Sequence, residues 1–175
     1  IDAGGLGPKA VELAGRFADG WHALLFTAEG MADRLDDFDR GAELGDRDRA
    51  SQRVTFSVPC CALEDRERAR AMTRQHVAFY VGGMGTYYRD ALARQGYEET
   101  ASRVFEEWNG GDRERAIAAI DDELLDALAV AGTPEECRDR IERFEGIDGV
   151  DAVNVSFPRA AERADIEATM AALAP

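Results

Sequence analysis

The sequence predicts an α/β fold with parallel strands, of the kind that makes up the C-terminal half of a (β/α)8 barrel, carrying a helical insertion at about residues 82–122. Three observations lead there. Strand-like and helix-like segments alternate with no hairpin turn between strands, which favours parallel pairing. The 175 residues suffice for a single domain over 1–175 with a real core, yet fall short of the ~250 typical of a whole barrel. Between Gly82 and Asp122 the alternation gives way to glycines and short helical segments. A small open doubly wound sheet is the alternative that the same pattern allows.

The elements follow in order. Ile1–Gly5 reads as the end of a strand entering a glycine turn, and Pro8 suits the first turn of the helix that follows. Ala10, Leu13, Ala14 and Phe17 fall on one face of that helix, which the spacing assigns to the core. Trp21–Phe26 is a short apolar run fit for a buried strand. A solvated helix spans Ala28–Leu44 with Met31, Leu35 and Phe38 inward. Arg53–Leu63 is the longest strand, and Glu64–Val81 a helix with Ala71, Val77, Ala78 and Phe79 or Tyr80 on its inner side.

The insertion carries helices near Tyr87–Arg94, Glu98–Trp108 and Arg113–Ile120, and another helix runs over Asp121–Val130. Thr133 is an N-cap, Pro134 takes the first helical position, and Glu135 and Glu136 complement the dipole end. Val150–Phe157 and Ala164–Leu173 supply a last strand and helix. The expectation is four strands, each followed by helix.

Charge narrows the function. The formal net charge is −14, with 35 acidic against 21 basic residues. Such a surface excludes sequence-independent binding of nucleic acid, which needs cations. Lys9 is the single lysine, and acid excess with so little lysine reads as salt adaptation or as the codon bias of a GC-rich genome, of which salt adaptation is the expectation. No apolar run approaches the ~18–20 residues of a membrane span. Cys60, Cys61 and Cys137 lack both disulfide and zinc spacing and read as small buried apolar residues. No metal set is present. Without a signal sequence the cytoplasm is expected. The chain lacks an initiating Met and opens in a strand, so it reads as part of a longer protein.

Few residues offer chemistry. In Gly4-Gly5-Leu6-Gly7-Pro8-Lys9, small residues let amides approach a ligand at a helix N-terminus, with Lys9 as a nearby cation. This reads as a phosphate site or as a tight turn without ligand; the spacings are those of neither a P-loop nor a dinucleotide fingerprint. His22, at the start of the second strand, is an acid–base or ring-stacking candidate, or a partly buried polar residue. His76 reads as a surface residue. Arg159, closing the last strand, either meets an anionic group or is an ordinary surface arginine. Tyr87, Tyr88, Tyr97 and Trp108 read as core or interface.

The stretch Gly4–Lys9 with Glu12-Leu13-Ala14-Gly15-Arg16-Phe17-Ala18-Asp19-Gly20 resembles a signature of the luciferase-like monooxygenase superfamily. Within it the chain is similar to reductases using the deazaflavin coenzyme F420, such as methylenetetrahydromethanopterin reductase. Ala129–Glu136, with Arg138, Arg140 and Ile141, resembles the family's late helix. The resemblance implies a TIM barrel with an insertion, a homodimer, and coenzyme F420 bound at the barrel mouth, with FMN as the alternative. It implies cofactor contact at Gly4, Gly5, Leu6 and Gly7, with Lys9 and Ala10 in the adjoining turn. Hydride transfer to or from a small organic substrate follows. Gly4 and Gly5 stand where alanines are common. The family's acid–base residues fall in the half before this chain, so the catalytic residues are unassigned and the chain alone is expected to be inactive. The competing expectation is a non-catalytic α/β module that binds a ligand or self-assembles.

Overall fold

The computed structural model describes residues 1–174, which form two compact units. One comprises Ile1–Ser57 with Arg143–Asn154, the other Val58–Glu142 with the segment from Val155 onward.

In the first unit, β1 (Asp2–Gly4), β2 (Gly20–Leu24) and the first half of β3 (Arg53–Ala62) pair in parallel. The connections are α1 (Pro8–Phe17) and α2 (Ala28–Leu44), the latter followed by a 3-10 turn over Arg49–Ser51. Strand–helix–strand crossovers of this kind are how parallel neighbours are joined. Side chains alternate across the sheet, so Trp21, Ala23, Val54 and Phe56 share one face and are all buried. Trp21 stacks on Phe38 of α2 at 6.0 Å between ring centres. Phe56 meets Phe144 edge-on at 5.8 Å. Met31, Leu35 and Phe38 point inward as their spacing predicted.

The two helices of this unit cross closely because glycines stand at the contact. A Cβ on Gly15 would lie 2.0 Å from the carbonyl oxygen of Phe38, and one on Gly41 would lie 2.0 Å from that of Glu12. Two backbones in contact leave no room for side chains between them. The sharp end of α1 is held by Gln52, whose amide donates to the carbonyls of Gly15 and Ala18 at 2.7 and 2.9 Å.

That crossing also corrects the expected orientation of α1. Its buried face is Val11, Ala14 and Gly15, whereas Leu13 and Phe17 are 51% and 68% exposed. The glycine pair turns the helix so that the Ala10, Leu13, Phe17 side is outward, beside Ile1 and Ala3 along the edge strand β1. β5 (Ala152–Ser156) pairs with β3. Asp151 secures its start, accepting the N–H of Val54 at 2.7 Å through its carboxylate while its own N–H donates to the Val54 carbonyl at 2.9 Å.

In the second unit, the end of β3 pairs in parallel with β4 (Val130–Gly132). The expected four strands are therefore five. β4 escapes the sequence pattern because its three residues continue the segment Leu124–Ala129, apolar but for Asp126, which reads as helix. It is fixed from outside the sheet: the Ala131 carbonyl accepts from Arg70 at 3.2 Å and from Arg140 at 3.0 Å. Both guanidiniums also meet Asp126, at 2.7 and 2.9 Å.

Helix α3 (Arg66–Gly83) leads into the insertion, made of α4 (Thr86–Leu92), a wide π-type turn over Ala93–Tyr97, α5 (Glu98–Asn109) and α6 (Arg113–Ala118). α7 (Asp122–Leu128) returns the chain to β4. α3 buries Ala69, Arg70, Thr73, His76, Val77 and Ala78, while Ala71 is exposed, contrary to its expected inward position. α8 (Pro134–Glu145) starts with a reciprocal cap: Glu136 N–H donates to Thr133 Oγ1 at 3.3 Å and Thr133 N–H to the Glu136 carboxylate at 2.9 Å. α9 (Arg163–Leu173) closes the unit, with Arg68 holding Asp165 by two hydrogen bonds of 2.7 and 2.8 Å. Among the described residues no helix is long and apolar enough to cross a membrane.

Candidate functional site

The glycine turn joins β1 to α1. Gly7 is the N-cap and offers no side chain to the first helical turn, and Pro8 has no N–H. The amides of Lys9 and Ala10 thus keep their donors at the positive end of a helix of 10 residues. Gly5 packs tightly: a Cβ there would stand 3.0 Å from the Ala10 Cβ. Its carbonyl accepts from the buried Trp21 indole at 3.1 Å, which pins the turn to β2. Lys9 is exposed and pairs with Glu12 at 3.2 Å, and Glu12 also meets Arg40 at 3.1 Å. Those two cations hold the Glu12 carboxyl below the usual range.

Strand register brings the turn and His22 together. Gly4, His22 and Thr55 are in-register neighbours on β1, β2 and β3, so their side-chain positions fall on the same face, opposite Trp21 and Val54. A Cβ on Gly4 would meet nothing within 4 Å, which leaves open space beside an exposed histidine. The ring is held at both nitrogens, Nδ1 to Thr55 Oγ1 at 2.9 Å and Nε2 to Ser57 Oγ at 2.9 Å. One row down on this face, Asp2 and Arg53 form an ion pair of 3.0 Å across Gly20. Beyond β2 the chain turns at Leu25, whose φ of 61° is unusual for a branched residue.

A polar sheet face, a glycine turn opening a helix and a fixed imidazole at the same end of two strands suit a small molecule with an anionic part. The sequence model of the luciferase-like monooxygenase family matches residues 1–150. The chain belongs to that family. It is 27% identical over 174 residues to a Mycobacterium tuberculosis protein provisionally named a coenzyme F420-dependent oxidoreductase, covering 96% of this chain and 50% of the relative. It is 28% identical to the 5,10-methylenetetrahydromethanopterin reductase of Archaeoglobus fulgidus, covering 81% of this chain and 43% of the relative. The solved structure of the coenzyme F420-dependent tetrahydromethanopterin reductase of Methanopyrus kandleri superposes with a TM-score of 0.76 at 23% identity, over 98% of this chain and 48% of that one. This luciferase-like chain therefore spans about half the length of the relatives it matches, and its fold is half of their barrel with a helical insertion.

The remaining candidates of the luciferase-like chain fall in the second unit. His76 is not on the surface, as expected from its arginine-rich surroundings, but 6% exposed. The turn after β5 and the insertion cover this side of α3: the Arg159 N–H donates to His76 Nδ1 at 3.2 Å, and Tyr80 packs at 5.0 Å. Burial, aided by the Arg159 charge, pushes the His76 pKa down to about 4. Arg159 lies over the Phe79 ring at 4.3 Å. Tyr88 packs edge-on against Tyr80 and Trp108 against Phe79, whereas Tyr87 is exposed. The three cysteines are buried free thiols; burial pushes Cys61 up to about 11 and Cys137 up to about 12, which keeps them protonated and unreactive.

Thr55 and Ser57 were not singled out in the sequence. Their signal was the alternation along β3, where Val54, Phe56 and Val58 take one face and the two hydroxyls the other. Only the β2–β3 register assigns those hydroxyls to His22.

Proposed function

We propose that this chain is the C-terminal half of a coenzyme F420-dependent oxidoreductase and supplies the turn that holds the coenzyme. The observation that carries this reading is the row Gly4–His22–Thr55, open at Gly4 and continuous with the uncapped amides of α1. The residues fit such a group. Gly4 leaves room for a flat or extended ligand, the Lys9 and Ala10 amides and the Lys9 ammonium suit phosphate oxygens, and Gly5, Leu6 and Gly7 allow close backbone approach.

When bound, the deazaflavin supplies hydride transfer to or from a small organic substrate. The chain's own work is to bind and orient. Trp21 fixes the Gly5 carbonyl, so the turn is rigid before ligand arrives. His22, restrained by Thr55 and Ser57, presents an imidazole edge of set orientation beside the open space. The relatives' names support the deazaflavin; the family's monooxygenase description supports FMN as the second reading.

The exposed apolar side of α1, with Ile1, Leu13 and Phe17, suits a covering partner, which we assign to the preceding half of the barrel. The complete enzyme is a cytoplasmic homodimer adapted to salt, and this half alone has no turnover. Fluorescence titration of the complete protein with coenzyme F420 and separately with FMN, at high salt, tests the reading. Saturable binding of F420 supports it, FMN binding alone moves it to the monooxygenase branch, and binding of neither rejects it.

A further inference from the structure

A second concave site lies within the second unit. It is a cavity of about 260 Å³ bounded by Met72, His76, Phe79, Trp108, Arg113 and Arg159. Its aromatic walls are Phe79 and Trp108. Phe79 and Trp108 stand edge to face at 6.0 Å between ring centres, and Gly82 and Gly83 let the Trp108 indole lie directly on α3, where a Cβ on Gly82 would approach to 2.5 Å.

The polar side chains of the cavity are Arg113, Arg159, His76 and the neutral amide of Gln75, with no carboxylate among them. In a chain of 35 acidic and 21 basic residues, most arginines find a carboxylate. Among the described residues neither Arg113 nor Arg159 forms an ion pair. Each guanidinium rests instead on an aromatic ring, Arg113 on Trp108 at 5.3 Å and Arg159 on Phe79 at 4.3 Å. Stacking on a ring occupies a face of the guanidinium and leaves its in-plane N–H donors available for a carboxylate. His76 contributes a third donor. Its Nδ1 accepts the Arg159 N–H, so the proton of the neutral ring sits on Nε2, which has no partner among the described residues.

We propose that this cavity binds a small aromatic carboxylate, its ring against Phe79 and Trp108 and its carboxylate on Arg113, Arg159 and the Nε2–H of His76. Two unpaired cations converging on aromatic walls are costly for an apolar or cationic guest and favourable for a flat anion. The volume suits a single ring. Its lining belongs entirely to the second unit, and its test is independent of any cofactor.

The chain's two tryptophans, Trp21 and Trp108, give two indole N–H signals in a nitrogen-15 correlation spectrum, assigned with Trp108→Phe. Titration with benzoate is expected to shift the Trp108 signal saturably and leave that of Trp21 in place. The neutral analogue benzamide is expected to bind at least about tenfold more weakly, the loss of one charged contact. Acetate, which lacks the ring, is expected to produce no saturable shift. Arg159→Gln and Arg113→Gln should each weaken benzoate by about tenfold or more with the Trp21 signal unmoved, which also reports that the variants are folded. Equal affinity for benzoate and benzamide overturns the proposal on the unaltered protein alone, and so does an absent Trp108 response.

Discussion

The Trp21 indole donates to the carbonyl of Gly5 at 3.1 Å, so a core residue of β2 sets the shape of the turn that opens α1. Trp21 is fully buried between Phe26 and Phe38, and an aromatic replacement without the donor probes this link. Trp21→Phe keeps most of the packing and frees the Gly5 carbonyl. Chemical denaturation is expected to show a loss of about 1–2 kcal/mol from the missing hydrogen bond and the smaller ring. Coenzyme affinity should fall with it, since the turn loses its anchor.

Asp126 gives a larger effect. Arg70 is 2% exposed and is held by Asp126, which also meets Arg140. Asp126→Ala leaves a buried guanidinium short of its best partner, with Asp122 as a remaining, exposed one. A destabilisation of about 3 kcal/mol is expected, read from the denaturation midpoint. A change under about 1 kcal/mol would mean that Asp122 and the Ala131 carbonyl suffice.

His76 ties stability to pH. Its folded pKa, about 4, lies below the ordinary 6.5. Between those values the unfolded chain binds the proton that the folded one refuses, so stability from this residue is complete above about pH 6.5 and is lost as pH falls towards 4. The loss is on the order of 3 kcal/mol. His76→Gln should flatten the stability profile over that window; an unchanged slope would show that other groups dominate it.

The exposed side of α1 yields a prediction for assembly. Leu13 and Phe17 are 51% and 68% exposed beside the edge strand β1. If the preceding barrel half covers them, Leu13→Asp with Phe17→Asp should destabilise the complete protein by several kcal/mol and improve the solubility of this chain expressed alone. A complete protein indifferent to the pair would place that surface in solvent.

How much of this was legible in the sequence depends on which physics was local. α2 begins and ends where the sequence placed it, and α1 begins there, because those signals are adjacent in the chain: Pro8 at the first position of α1, and the acidic, periodic run of α2, which starts behind Thr27, whose hydroxyl accepts the N–H of Gly30 at 3.0 Å. The Thr133–Glu136 cap is likewise local. What escaped depends on distant partners. The Gly15 and Gly41 contact turns α1 against its apparent stripe. β4 is set by arginines of α3 and α8. His76 is buried by the turn that carries Arg159. The glycine turn was visible as a string of small residues, but its alignment with His22 and Thr55 is a property of strand register.

Whether the coenzyme occupies the space beside Gly4 is decided by coenzyme F420 affinity in the complete protein carrying Gly4→Val. Gly4 ends a strand, its added Cβ would meet nothing within 4 Å, and a β-branched residue is at home there. The fold should therefore be kept, with unchanged circular dichroism and denaturation midpoint, while the new side chain fills the space assigned to the coenzyme. A loss of affinity of at least about tenfold is expected. A folded variant that binds the coenzyme as tightly as the unaltered protein would contradict it and move the site away from the Gly4–His22–Thr55 row.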